Sequence, residues 1–262
     1  QTPNPKPLAS PKRAATPLHQ MSIMQTNYAE EVHSEPMFIY DKPDLRKQFM
    51  GKVLKTVALQ LLVSAAVILA ARTSYLVSAF SAAFSLLWLA GFIGILSALT
   101  LVRRASQRVP LNYFLLMALT VCQAFLVHNN TRLIGTDVIS SAIMLTALIV
   151  GIAYGFAITA DFDFTSPQFL LMFNLAHIGV AFFCSIFLAH TSIFFSYIGA
   201  LAFTLYIIVD IHMIMGNKNY KLGIDDHVYA STLIYVDIVN LFLKLVEVIE
   251  KENQKKKRKE KN

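Results

Sequence analysis

The chain has 262 residues, 55% of them hydrophobic and 15% charged, with a formal net charge of +7. A soluble domain of this length does not need so much apolar surface. The basic excess, much of it in the closing "KKKRKEKN", is not the distributed face of a nucleic-acid binder, so no nucleic-acid partner is expected. Cys122 and Cys184 both fall inside apolar blocks and supply neither a disulfide framework nor a paired metal spacing.

Residues 1–44 read as a disordered cytosolic arm, because "QTPNPKPLASPKRAATP" is rich in proline and has almost nothing to bury. The start is not apolar, so the first membrane span is expected to act as an uncleaved address. Residues 45–250 form the membrane domain. The expected spans are 51–71, 79–101, 110–127 (with Pro110 at its start), 137–159, 168–189, 192–215 and 227–243. The fold class is therefore all-α, a polytopic membrane protein built as a seven-helix bundle. Residues 251–262 are a lysine-rich tail suited to anionic lipid.

Lysine and arginine in short loops orient the chain. With the arm in the cytosol, "VRRASQR" (Arg103, Arg104, Arg108) and "NKNYKLG" (Lys218, Lys221) are cytosolic too, while the opposite loops carry Arg72 and Arg132. Seven crossings would leave the lysine-rich tail on the far side, against that bias. The last segment, interrupted by Lys244, Glu247 and Glu250, either crosses fully or re-enters. "NNT" at Asn129–Thr131 is a glycosylation sequon on the non-cytosolic side.

Two acids lie in consecutive apolar segments: Asp210 in "LYIIVDIHMIM" and Asp237 in "LIYVDIVNLF". An ionised Asp at the centre of a membrane helix costs about 2.5–3.5 kcal/mol, so each is expected to face the bundle interior with a partner. Lys244, two turns after Asp237 on the same face, is one choice. The other is the second aspartate, since a loop of about a dozen residues lets segments six and seven lie antiparallel. Two carboxyls in contact at low dielectric share a proton and titrate in coupled steps. Fully deprotonated, they repel and offer hard oxygens to Ca2+. The plainer reading is that each acid hydrogen-bonds a neighbouring helix as structural glue. Aspartyl intramembrane proteolysis would call for "GxGD", where this chain has "YVDIVN".

The stretch "VDIHMIMGNKNYKLGIDDHVYASTLIYVDIVNLFLKL" resembles the C-terminal signature of the Bax inhibitor motif transmembrane family, in its Lifeguard and Golgi anti-apoptotic branch. "LRKQFMGKVLKTVALQLLVS", "RRASQRVPLNYFLL" and "FAITADFDFT" extend the resemblance over residues 45–245. It implies a seven-helix protein of the endoplasmic reticulum, the Golgi or another membrane, tied to Ca2+ leak from stores and to suppression of cell death. It also implies that the family's pH-sensing aspartate pair falls on Asp210 and Asp237, a transient Ca2+ site. The sequence departs from the pattern in three places. "DIH" replaces the usual "DTQ" at Asp210–His212, Gln123 stands where a Glu is common, and Lys244 with "EVIEKE" breaks the apolar end.

Secondary candidates follow. His177, set deep in a span, is a proton relay, a metal ligand with His212, or a packed histidine bonded by Asn174. Asn240, one turn after Asp237, is placed to bond the pair. Asp161 and Asp163 are expected in a solvated loop. Asp225 and Asp226 suit the start of the last helix, or a weak Ca2+ site at a pore mouth. No enzyme activity and no cofactor are expected, with Ca2+ as permeant ion; a zinc hydrolase would need several histidines at membrane depth. The leading expectation is a pH-sensitive, Ca2+-permeable leak channel of an intracellular membrane. The competing ones are a non-conducting adaptor acting through Bcl-2 family or death-receptor proteins, and a proton-coupled antiporter.

Overall fold

The structure, a computed structural model, describes residues 43–159, 166–187, 192–215 and 222–260. Nine α-helices are found among them: α1 (Pro43–Thr73), α2 (Tyr75–Ala83), α3 (Ser85–Leu101), α4 (Arg103–Gln107), α5 (Leu111–Thr131), α6 (Thr136–Thr159), α7 (Pro167–Phe187), α8 (Ser192–Ile214) and α9 (His227–Glu260). A 3-10 turn at Ile224–Asp226 precedes α9. Each of the seven expected segments falls on a helix, apart from the second, which is a bent pair. Among the described residues, four helices (α1, α5, α6 and α8) are long and apolar enough to cross a membrane, and α2 with α3, bent by 68°, meet the same measure together as a broken span or a re-entrant loop. The protein is a polytopic helical membrane bundle.

The distribution of polarity explains this architecture. On α1, Leu62 is 69% exposed while Gln60 is fully buried. Lipid solvates leucine but leaves an amide without partners, so the apolar side faces out and the polar side faces protein. Within the helices, hydroxyls bond their own preceding turn: Thr120 and Thr146 donate to Leu116 and Ala142 carbonyls at 2.8 and 2.7 Å. The bend between α2 and α3 sits at Phe84, beside the aromatic group of Phe80, Trp88 and Phe125. Ser74 starts α2 by accepting from the Val77 N–H at 3.5 Å. The second segment therefore begins earlier than position 79.

The largest departure from expectation concerns the last segment. Read as the shortest span, 227–243, it is an unbroken helix of 34 residues that runs through the lysine-rich stretch to Glu260. No re-entrant turn interrupts it. At 1.5 Å per residue it is about 50 Å long, more than a bilayer core requires. It also packs against α1, α3, α5, α6 and α8. Its buried residues, from Val228 and Tyr235 to Leu245 and Val248, cover an arc of about 200°, and Asp237, Asn240, Lys244 and Glu247 lie half-buried on the rest. A helix enclosed by other helices meets side chains rather than lipid, so it tolerates polar residues that an outer helix could not. Its modest hydropathy is the mark of a central helix.

Candidate functional site: an aspartate pair on the α8–α9 seam

The most extensive helix pairing in the described fold is α8 with α9. The two run antiparallel, and their contacts fix the register. Asp210 on α8 meets Asp237 on α9, and Ser196 on α8 meets Lys251 on α9. Both pairs sum to the same value, so the helices stay aligned for four turns. Asp210 is buried at 8% exposure and Asp237 is half-buried. Their carboxyl groups lie close enough to influence each other directly. Two carboxyls this close in a low-dielectric interior hydrogen-bond to each other only when a proton lies between them. Oδ2 of Asp210 is buried and makes no hydrogen bond with any described residue, which leaves an acceptor open at the site.

Around the pair lies an apolar wall. Ile207, Ile211 and Ile214 of α8 and Ile234 and Ile238 of α9 are buried in one core cluster with Val53 of α1 and Ala153 of α6. This wall lowers the local dielectric and raises the cost of two bare charges. Lys244, the other partner considered for Asp237, instead bonds Glu247 at 3.1 Å. Asn240 is half-buried on the face of α9 that carries Asp237, and His212 is half-buried two residues beyond Asp210. The side chain of His177 lies outside the described residues, as do Asp161, Asp163, Lys218 and Lys221. Asn174 donates to the Leu170 carbonyl at 2.8 Å and accepts from the Tyr206 hydroxyl at 2.5 Å. Among the described residues, no three His, Cys, Asp or Glu side chains group to hold a metal ion.

The adjacent acids at the start of α9 separate by role. Asp226 is buried, accepting from the Gly223 N–H at 2.8 Å and from Gln107 Nε2 at 2.7 Å. It fastens the 3-10 turn to α4, so its carboxylate is committed to structure. Asp225 is exposed. Gln123 is buried in α5.

Sequence reasoning missed a second polar layer on α9. Tyr235 is fully buried, and its hydroxyl lies 2.7 Å from Ser64 Oγ on α1. The Ser64 hydroxyl donates to the Gln60 carbonyl at 2.8 Å, so Tyr235 must donate to Ser64. Gln60 Nε2 in turn donates to Thr120 Oγ1 on α5 at 3.2 Å. The available signal was the i, i+4 spacing of Gln60 and Ser64 in the otherwise apolar stretch 57–71 of α1.

The sequence matches the family described as Inhibitor of apoptosis-promoting Bax1 over residues 46–254. The chain belongs to this Bax inhibitor family. It is 30% identical over 217 residues to Protein lifeguard 4 of Mus musculus, covering 80% of this chain and 88% of that one. It is 29% identical over 223 residues to Protein LIFEGUARD 4 of Arabidopsis thaliana, covering 79% and 86%. The Golgi anti-apoptotic protein of Vaccinia virus (strain Lister) is 30% identical over 167 residues, covering 63% and 68%. The family match spans every helix from α1 to most of α9, including both aspartates.

Proposed function

We propose that this Bax inhibitor family protein is a pH-sensitive, Ca2+-permeable leak channel that lowers stored Ca2+ and thereby suppresses cell death. One observation carries the reading: two carboxyls in consecutive helices are held against each other inside a membrane bundle. With one proton shared, the pair latches α8 to α9. When that proton leaves, the carboxylates repel, the seam loosens, and four carboxylate oxygens face a passing cation. Ca2+ wants six to eight oxygens. Asp210 and Asp237 alone therefore make a transient stop rather than a resident site, as permeation requires. The membrane is the endoplasmic reticulum or the Golgi; the likeness to the Golgi anti-apoptotic protein of vaccinia supports the Golgi.

Flux should rise as pH rises through the upper titration of the pair, because deprotonation breaks the latch. The test is Ca2+ flux from liposomes holding the purified chain, across about pH 6 to 8, with Asp210→Asn and Asp237→Asn in parallel. Flux whose pH midpoint moves or vanishes in either variant supports the gate. Flux that rises on acidification sinks the mechanism.

A second reading is a membrane adaptor that does not conduct and binds Bcl-2 family or death-receptor proteins. The exposed basic end of α9, Lys255 to Lys259, favours it. Its signature is a folded chain that protects cells, shows no flux above empty liposomes, and loses protection when residues 251–262 are removed.

A further inference from the structure

On α9, Asp237, Asn240, Lys244, Glu247 and Lys251 recur at spacings of three and four residues, so they form one stripe. That stripe faces α8 along its length. Asp237 meets Asp210 near one end of the seam. Near the other end, the stem of Lys244 lies over Gly199, where an added Cβ would stand 3.0 Å from the lysine Cδ. Lys244 Nζ bonds Glu247 at 3.1 Å, and Lys251 also pairs with Glu247. Lys251 Nζ donates to Ser196 Oγ at 3.2 Å. Fourteen residues of helix, about 21 Å, separate Asp237 from Lys251.

Gly199 matters for where this charge sits. Lys244 emerges level with Phe203, deep in the seam, and its stem climbs through the gap left by the missing side chain toward the start of α8. Its ammonium is thereby delivered to Glu247, which Lys251 also pairs with, at the end of the seam near the start of α8. The three groups sum to one positive charge, and their side chains remain 38%, 39% and 25% exposed. They are therefore not sealed in the core.

We propose that Lys244, Glu247 and Lys251 form an electrostatic filter at the end of the α8–α9 seam opposite the aspartate pair, setting how readily divalent cations pass relative to monovalent ones. This rests on the channel reading and adds to it a determinant of ion preference. The physical basis is simple: a divalent ion feels the same potential twice. A unit charge about 8 Å from the ion path, with water between, changes monovalent passage about two-fold and divalent passage about five-fold.

The experiment measures Ca2+ and K+ flux from liposomes holding the full chain, at a pH where the wild type conducts. Lys251→Met should raise Ca2+ flux about five-fold and K+ flux about two-fold, and Glu247→Gln should lower both by the same factors. Both substitutions break the same ion pair, so a merely structural role would move the flux in one direction. Lys251→Arg keeps the charge and should keep the wild-type ratio of Ca2+ to K+ flux. Changes of the same sign in Lys251→Met and Glu247→Gln, or an unchanged flux ratio in a conducting protein, overturn the filter while leaving the channel standing. A folded wild type that carries neither ion overturns both.

Discussion

Helix α9 presents two polar faces, and they differ in kind. Toward α1 and α5 it offers Tyr235, in a chain of neutral groups with Ser64, Gln60 and Thr120. Toward α8 it offers groups that carry or exchange charge: Asp237, Lys244, Glu247 and Lys251. Tyr235 and Asp237 are two residues apart, which turns them about 200° around the helix. Neutral hydrogen bonds between membrane helices hold at any pH and are worth about 0.6 kcal/mol each on average. A carboxyl pair is expensive to bury, and its energy depends on one proton. The α1–α5 side is therefore the fixed side of the central helix, and the α8 side is the one that solution conditions can move.

The largest expected effect breaks this contrast on the α8 side. Asp210→Asn or Asp237→Asn leaves an amide–carboxyl hydrogen bond but no shared proton. The one-proton latch can change the open fraction by at most about tenfold per pH unit. Either variant should flatten or displace that slope, read as Ca2+ flux against pH. On the other side, Tyr235→Phe removes one buried hydroxyl whose partner keeps its bond to the Gln60 carbonyl. The expected loss is about 1 kcal/mol or less in unfolding measured in detergent, with the flux midpoint unchanged. A midpoint that moves in Tyr235→Phe would mean the two faces are coupled and the division into fixed and movable sides is wrong.

How far the sequence disclosed this arrangement depends on which forces set each part. Apolar length alone located the helices, because a bilayer imposes one length on every outer span. The aspartates stood out because an acid in an apolar run is costly wherever it lies, and a short connection placed their helices side by side. Helix α9 was misjudged for a physical reason. Hydropathy measures fitness for lipid, and this helix is surrounded by other helices. Its polar residues read as an early end when they are contacts. The Gly199 gap and the path of Lys244 were equally hidden, since they depend on which residues of α8 lie opposite which residues of α9, and neither segment states that register on its own. The Gln60–Thr120 bond joins positions 60 residues apart and needs the assembled bundle to be seen.

The smallest expected effect concerns the sequon, whose triplet was legible but whose availability was not. Asn129 lies inside α5, with Thr131 still helical and 2% exposed. The Asn129 amide is engaged at both ends by α2: Oδ1 accepts from Ser81 Oγ at 2.9 Å and Nδ2 donates to the Ser81 carbonyl at 3.1 Å. A glycan must be attached through that same Nδ2, and the Thr131 hydroxyl is already donated to the Val127 carbonyl at 2.8 Å. The folded chain should therefore carry no sugar at Asn129, and deglycosylation should leave its gel mobility unchanged. Asn129→Ala should instead cost about 1 kcal/mol by leaving the buried Ser81 hydroxyl poorly satisfied, with no effect on the pH midpoint of flux. A mobility shift that Thr131→Ala abolishes would show that the end of α5 unwinds and releases α2 before the bundle closes. The rim formed by α2 and the end of α5 would then join α8 among the movable parts of the protein.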